Sequence, residues 1–158
     1  MSFIMTKEAR SFFHNITSPH KFLMFDAFYC CLMVGLDARK VEDASALDAD
    51  PFIAGYPDDF KARGDIVAGL LIDAELDRKD IAAEDKISIE REMIRLVDPT
   101  SPTRLSVDGD KLLNLYAASG FAILKDHMMP PGSIEEFLVA YHRYWHPDDG
   151  VNGSESPR

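Results

Sequence analysis

Five carboxylates fall within a short stretch in the middle of the chain: Asp58, Asp59, Asp65, Asp73 and Glu75. If a helix begins near residue 65, Asp65 and Asp73 lie eight residues apart on roughly one face, whereas Glu75 points elsewhere. Grouped carboxylates can hold Mg²⁺, a hard ion that takes oxygen ligands and keeps several waters. The spacing therefore predicts a Mg²⁺ site with these five residues as ligands, Glu75 being the outlying member.

Basic side chains beside these acids would complete a site for phosphate chemistry. A bound Mg²⁺ can hold a backbone phosphate and activate water for hydrolysis. In that scheme the candidate catalytic residues are Asp65, Asp73 and Lys61, and Lys61 and Arg63 would stabilise the charge on phosphate. The more ordinary interpretation is a solvated acidic surface, because acids near a helix start also oppose the positive end of the helix dipole.

Basic residues elsewhere predict contacts to a nucleic-acid backbone, since such side chains bind phosphate oxygens. The candidate DNA-binding residues are Lys7, Arg10, Lys21, Arg63 and Arg143. His14 and His20 belong to the same N-terminal stretch and are candidate proton carriers. The alternative is that these are the solvated faces of ordinary helices.

Two further features of the sequence, Asp26 and a pair of histidines, can each be explained in two ways. Asp26 interrupts an apolar run over residues 22–36, and an unpaired buried carboxylate is costly. It is expected either to pair with a basic or tyrosine side chain, or to act as a metal ligand or general base. His142 and His146 are four residues apart, which suits two metal ligands or phosphate contacts, or basic groups at the end of a helix.

The composition predicts a single folded domain. The chain has 158 residues, 46% apolar and 28% charged, and its net charge of −10 argues against a non-specific nucleic-acid coat protein. The negative charge is concentrated: residues 41–110 hold eight basic and 18 acidic side chains. Cys30 and Cys31 are adjacent and cannot readily bridge each other, so we expect them to pack in the core of a reduced, cytoplasmic protein.

Hydrophobic periodicity predicts an all-α domain of six or seven helices over residues 1–145, with a disordered tail at 146–158. An apolar central helix is expected to begin at Ser18-Pro19 and to end at Gly35. Further helices are expected from residue 65 to Arg78, over 85–97, from Ser106 or Asp108, and from Ser133 to Trp145. In the helix over 85–97 we expect one face inward (Ile87, Ile89, Met93, Ile94, Val97) and another outward (Arg91, Glu92, Arg95).

The sequence lacks the established motifs that would assign it to an enzyme class. The chain has no P-loop, dinucleotide-binding fingerprint, zinc-finger spacing or HExxH. The apolar run over residues 22–36 is shorter than the roughly 20 residues that cross a bilayer, so no membrane association is expected. The long apolar helix and the aromatic C-terminal helix could form the seam of a homodimer.

Three segments carry a resemblance: FDAFYCCLMVGLDARK, GYPDDFKARGDIVAGLLIDAEL and DGDKLLNLYAASGFAIL. In their order, an apolar helix, an acidic helix and a Tyr-Ala-x-x-Gly helix, they resemble the small helical SspB-type proteins encoded with bacterial DNA phosphorothioation (Ssp and Dnd) anti-phage systems. The resemblance covers roughly residues 21–128.

The resemblance implies a DNA nickase that hydrolyses one phosphodiester of double-stranded DNA with Mg²⁺. It also implies partners, namely a cysteine desulfurase, an ATPase and a sulfur-transfer enzyme. It transfers no catalytic residues, so those named above come from spacing alone. Two alternatives stay open: a non-catalytic subunit of the same complex that recruits DNA or partner proteins, and a structural oligomer outside any such system.

Overall fold

The structure is a computed structural model that describes residues 3–18 and 22–150. The all-α prediction is confirmed, since this part of the chain contains seven α-helices, and isolated bridges in place of strands. The helices are α1 (Lys7–Phe12), α2 (His14–Thr17), α3 (Met24–Ala38), α4 (Gly64–Arg78), α5 (Lys86–Leu96), α6 (Val107–Lys125) and α7 (Ile134–Trp145). Short 3₁₀ helices occupy Ala44–Ala46, Asp58–Arg63 and Pro147–Gly150. None of the helices in these ranges combines the length and apolar character that crossing a bilayer requires.

The core forms where α3 packs along α6, and two glycines allow the close approach. A Cβ atom on Gly35 would overlap the backbone oxygen of Tyr116, and one on Gly120 would overlap the backbone oxygen of Cys31. The prediction that Gly35 ends the helix is therefore wrong. α3 continues to Ala38, and Arg39 ends it in the left-handed conformation with φ 54°.

The central helix also begins later than predicted. Ser18 follows α2 as its C-terminal residue, while α3 begins at Met24. Pro19, His20 and Lys21 lie outside the described residues. Asp26 falls in the first turn of α3, where its Oδ2 accepts a hydrogen bond of 2.7 Å from the backbone N–H of Leu23. Asp26 is thus half-buried and hydrogen-bonded at a helix start, which gives it a structural partner.

Aromatic rings fill the space beneath α3. Phe3 packs against Phe25, Phe28 and Tyr56 with ring centroids 5.1–5.3 Å apart. A backbone bridge between Phe3 and Ile53 holds the start of the chain against the long connection that leads to α4. Phe25 also packs against Phe60 with ring centroids 4.8 Å apart, which anchors the 3₁₀ helix Asp58–Arg63 that carries several of the predicted site residues.

The predicted orientation of α5 is confirmed for Arg91, which is exposed, and wrong for Glu92 and for three of the apolar residues, Ile87, Met93 and Ile94. Glu92, expected to face solvent, is 7% exposed, whereas Ile87 and Ile94, expected inside, are both 73% exposed. Leu96 is the fully buried apolar residue of this helix. α5 therefore turns a charged stripe toward α4 and α6 and leaves an apolar stripe on the surface.

Asp80 holds a strained backbone position after α4. Its φ is 53°, and its N–H and that of Ile81 bond back to the carbonyls of Asp77 and Leu76. This is the hydrogen-bond pattern of a Schellman motif, whose left-handed residue is usually glycine.

We expect Asp80→Gly to raise the free energy of unfolding by about 0.5–1 kcal/mol, because glycine adopts this conformation without Cβ strain. Urea unfolding followed by circular dichroism measures the change. Glu84 is also exposed in this loop but does not have positive φ, so Glu84→Gly should destabilise instead. Equal effects of the two substitutions would contradict the prediction.

Candidate functional site

Asp73 is held by an arginine from the end of α3. Arg39 Nη2 lies 2.7 Å from Asp73 Oδ2, and Arg39 Nε lies 3.0 Å from Asp77 Oδ2. The left-handed turn at Arg39 follows the last residue of α3 and places this guanidinium over the face of α4 that carries both acids. Asp73 is therefore engaged in an ion-pair clamp between α3 and α4.

Glu75 is fully buried and hydrogen-bonded on every side. Arg78 Nε and Nη2 donate to its two oxygens at 2.6 and 2.9 Å, and the Tyr116 hydroxyl donates at 2.7 Å. Arg95 Nη2 approaches at 3.4 Å. Burial raises the pKa of Glu75, but the hydrogen bonds from Arg78 and Tyr116 and the nearby positive charges outweigh it, so the pKa lies below its usual value.

Glu92 extends this cluster onto α5. It accepts from Lys79 Nζ at 2.9 Å and from Arg95 Nη2 at 2.8 Å. Burial again raises the pKa, and the bonds from Arg95 and Lys79 bring it below its usual value. We call Glu75, Arg78, Lys79, Glu92, Arg95 and Tyr116 the buried charge network, which ties α4, α5 and α6 together.

The remaining predicted ligands lie at the surface where α4 begins. Asp58 and Asp65 have side chains 91% and 87% exposed, and Asp59 is also exposed. Lys61 Nζ lies 2.6 Å from Asp58 Oδ1, so the candidate catalytic lysine is paired with a candidate ligand. Arg104 Nε is 3.8 Å from Asp65 Oδ1. We call Asp58, Asp59 and Asp65 the acidic surface.

The structure does not gather the five predicted Mg²⁺ ligands into one site. Across residues 3–18 and 22–150, no three His, Cys, Asp or Glu side chains form a group that could hold a metal ion. Asp73 faces Arg39, Glu75 faces the interior, and the acidic surface faces solvent. The role of these residues as Mg²⁺ ligands or catalytic groups stays a prediction.

The candidate DNA-binding residues are placed on separate elements. Lys7 is exposed on α1, whereas Arg10 on the same helix donates to the backbone oxygens of Met5 and Asp50. Arg63 lies over the rings of Tyr29 and Phe60 at 5.7 and 5.8 Å. Arg143 is exposed on α7. Lys21 lies outside the described residues.

Among the described residues, the histidines and cysteines do not form a metal-binding group. The His142 and His146 rings lie 4.5 Å apart, and His142 Nε2 is 3.8 Å from Asp149 Oδ2, without forming a metal-binding group. His14 is exposed on α2. Burial raises the pKa of the Cys30 thiol to about 12 and that of Cys31 well above its usual range. Both cysteines therefore remain protonated packing groups at neutral pH.

Sequence reasoning missed the buried charge network. A signal was present in the chain, because Glu75 and Arg78, and likewise Glu92 and Arg95, are three residues apart and can pair on one helix face. Such pairs are common on exposed helices, so spacing alone does not distinguish a buried pair from a solvated one.

No known protein family, curated protein or solved structure matches this chain. The side chains offer an exposed acidic surface, a buried charge network and an apolar stripe on α5.

Proposed function

We propose that this chain is a non-catalytic subunit of a bacterial DNA phosphorothioation system that recruits a basic partner protein through the acidic surface. The resemblance of the three segments supports the system, and the arrangement of the carboxylates supports the binding role. DNA is then reached through the partner.

The observation that carries this proposal is the separation of the predicted ligands. Arg39 neutralises Asp73, and Arg78 and Tyr116 surround Glu75. The remaining acids, Asp58, Asp59 and Asp65, are exposed to solvent, with Lys61 paired to Asp58 at the surface and Arg104 3.8 Å from Asp65. Solvent-exposed carboxylates attract a cationic partner, speed its diffusional encounter and disfavour partners of like charge.

The partner class follows from the charge of the chain. A net charge of −10 opposes direct binding to the phosphate backbone of DNA. A basic surface on the cysteine desulfurase, the ATPase or the sulfur-transfer enzyme would be complementary to it. Such an interaction should weaken as salt rises, because exposed charges are screened over about 10 Å at 0.1 M ionic strength.

We expect the purified chain to leave supercoiled plasmid intact with Mg²⁺, because the five predicted ligands lie apart in the described structure. Plasmid relaxation on agarose gels measures this, with EDTA samples as blanks and a nicking endonuclease as positive control. Mg²⁺-dependent nicking that Asp65→Ala or Asp73→Ala abolishes would overturn the proposal in favour of the nickase.

The recruiting role is tested by co-purification with each tagged phosphorothioation protein. The triple variant Asp58→Lys, Asp59→Lys, Asp65→Lys should lose the partner that the wild type retains. A matched triple variant in other exposed acids, Asp48→Lys, Glu84→Lys, Asp126→Lys, changes the net charge equally and should keep binding. Equal loss in both variants, or retention in both, would contradict a specific acidic docking surface.

A further inference from the structure

One face of α5 is left exposed with a regular pattern. Ile87, Glu90, Arg91 and Ile94 follow one another at the spacing i, i+3, i+4 and i+7, which places them in one stripe along a helix. All four side chains are exposed in the described structure. We call these four residues the α5 seam. Exposed isoleucines that flank a pair of opposite charges on one helix face are a feature of interaction surfaces.

The inner face of α5 holds the seam in this outward orientation. Glu92 bonds to Lys79, which directly follows α4, and Leu96 is fully buried. Turning α5 so that Ile94 entered the core would expose Leu96 and leave Lys79 and the rest of the buried charge network without Glu92. The exposure of Ile87 and Ile94 is therefore fixed by strong contacts on the opposite side of the helix.

The charges in the seam interact only weakly with the described residues, since the Arg91 charge is the smallest of the causes that lower the pKa of Asp85. Neither Glu90 nor Arg91 forms an ion pair with any residue of 3–18 or 22–150. They occupy the centre of the stripe, between the two isoleucines. One negative and one positive charge give the seam no net attraction for DNA or for an anionic membrane, which require an excess of positive charge.

We infer that the α5 seam binds a second copy of this chain as an antiparallel, two-fold symmetric pair. A two-fold axis between Glu90 and Arg91 places Ile87 opposite the partner subunit's Ile94, and Glu90 opposite the partner subunit's Arg91. The symmetry repeats both contacts, so the same stripe supplies two apolar pairs and two ion pairs. A parallel pair would instead place like charges together, so charge selects the antiparallel arrangement.

This dimer differs from the seam that the sequence alone suggests. The apolar face of α3 is covered by α6, and Phe137 of α7 is fully buried. The apolar faces of α3 and α7 are therefore already packed within the subunit. The dimer also does not require the proposed basic partner, because the acidic surface and the α5 seam share no residue.

Sedimentation velocity tests the inference by charge reversal. We expect wild type to dimerise in the range of about 1–100 µM, and Glu90→Arg and Arg91→Glu each to weaken the homodimer by about 100-fold, because each variant opposes like charges twice. An equimolar mixture of the two variants restores opposite charges at both positions and should form a heterodimer. The double variant Glu90→Arg, Arg91→Glu should likewise dimerise as wild type does.

Control experiments distinguish loss of the dimer interface from unfolding of the subunit and from binding of the seam to a membrane. Leu138→Ser removes an exposed apolar residue on α7 and should leave dimerisation unchanged, whereas Ile94→Ser should abolish it with the helical circular dichroism retained. A wild type that is monomeric throughout this range would overturn the inference, as would a dimer that both charge reversals leave intact. Binding of monomers to phosphatidylserine vesicles through Ile94 would assign the seam to a membrane surface and overturn it too.

Discussion

Replacing Gly120 with alanine is expected to lower the free energy of unfolding by about 3 kcal/mol, at the upper end of overpacking effects. The added Cβ would overlap the backbone oxygen of Cys31 and lie 2.8 Å from the backbone nitrogen of Gly35. Both obstacles belong to the backbone of α3, so no side chain can rotate away. Relief requires α3 to move off α6, which disrupts the contact on which the core is built.

Urea unfolding followed by circular dichroism measures this loss, and a second glycine supplies the control. Gly69 lies within α4, and a Cβ there meets nothing within 4 Å. Gly69→Ala should raise the free energy of unfolding by about 0.5–1 kcal/mol, because alanine favours the helix. If Gly120→Ala were as stable as wild type, the close crossing of α3 and α6 would be refuted.

Glu75→Gln is expected to lower the free energy of unfolding by about 2–3 kcal/mol, somewhat less than the loss of a fully enclosed ion pair. The amide keeps the size of the side chain but removes the charge that Arg78 and Arg95 face. These arginines are partly exposed, so water recovers some of their solvation. The loss of stability arises because the positive charges of Arg78 and Arg95 are left without a carboxylate beside the core.

The matched control is Asp73→Asn on the same helix. Asp73 also pairs with an arginine, but its side chain is 63% exposed, so the loss should be at most about 1 kcal/mol. Equal losses in the two variants would show that the burial of Glu75 does not increase its contribution to the free energy of unfolding.

The pH dependence of stability gives a second measure of what Glu75 and Glu92 contribute to the free energy of unfolding. The pKa values of Glu75 and Glu92 are lowered in the folded chain, so their contribution to stability is complete above the unfolded glutamate value of about 4.3. It is lost as the pH falls through the folded pKa. The free energies of unfolding of wild type and Glu75→Gln should therefore converge as the pH falls below the unfolded glutamate value, and curves that stay parallel would contradict the assignment.

Much of the helical architecture was predictable, because local chemistry sets helix ends. Ser106 and Ser133 accept backbone hydrogen bonds at the starts of α6 and α7, as hydroxyl caps do. The predicted end of α4 at Arg78 is confirmed as well. The predicted start of α3 at Ser18-Pro19 is wrong, because the helix begins at Met24, where the Asp26 carboxylate accepts a hydrogen bond from the backbone N–H of Leu23.

The sequence by itself determined that this chain is helical, where most of its helices end, and that its negative charge lies in the middle. Only the tertiary structure decided that Glu75 is buried, that Gly35 lies inside a helix crossing, and that Ile94 faces outward. A period of 3.6 residues defines a stripe on a helix but not the neighbour that the stripe meets. Lys79, directly after α4, binds Glu92 of α5, and Tyr116 of α6 binds Glu75 of α4. Because these partners lie inside, both carboxylates turn inward, against the rule that apolar residues face the core.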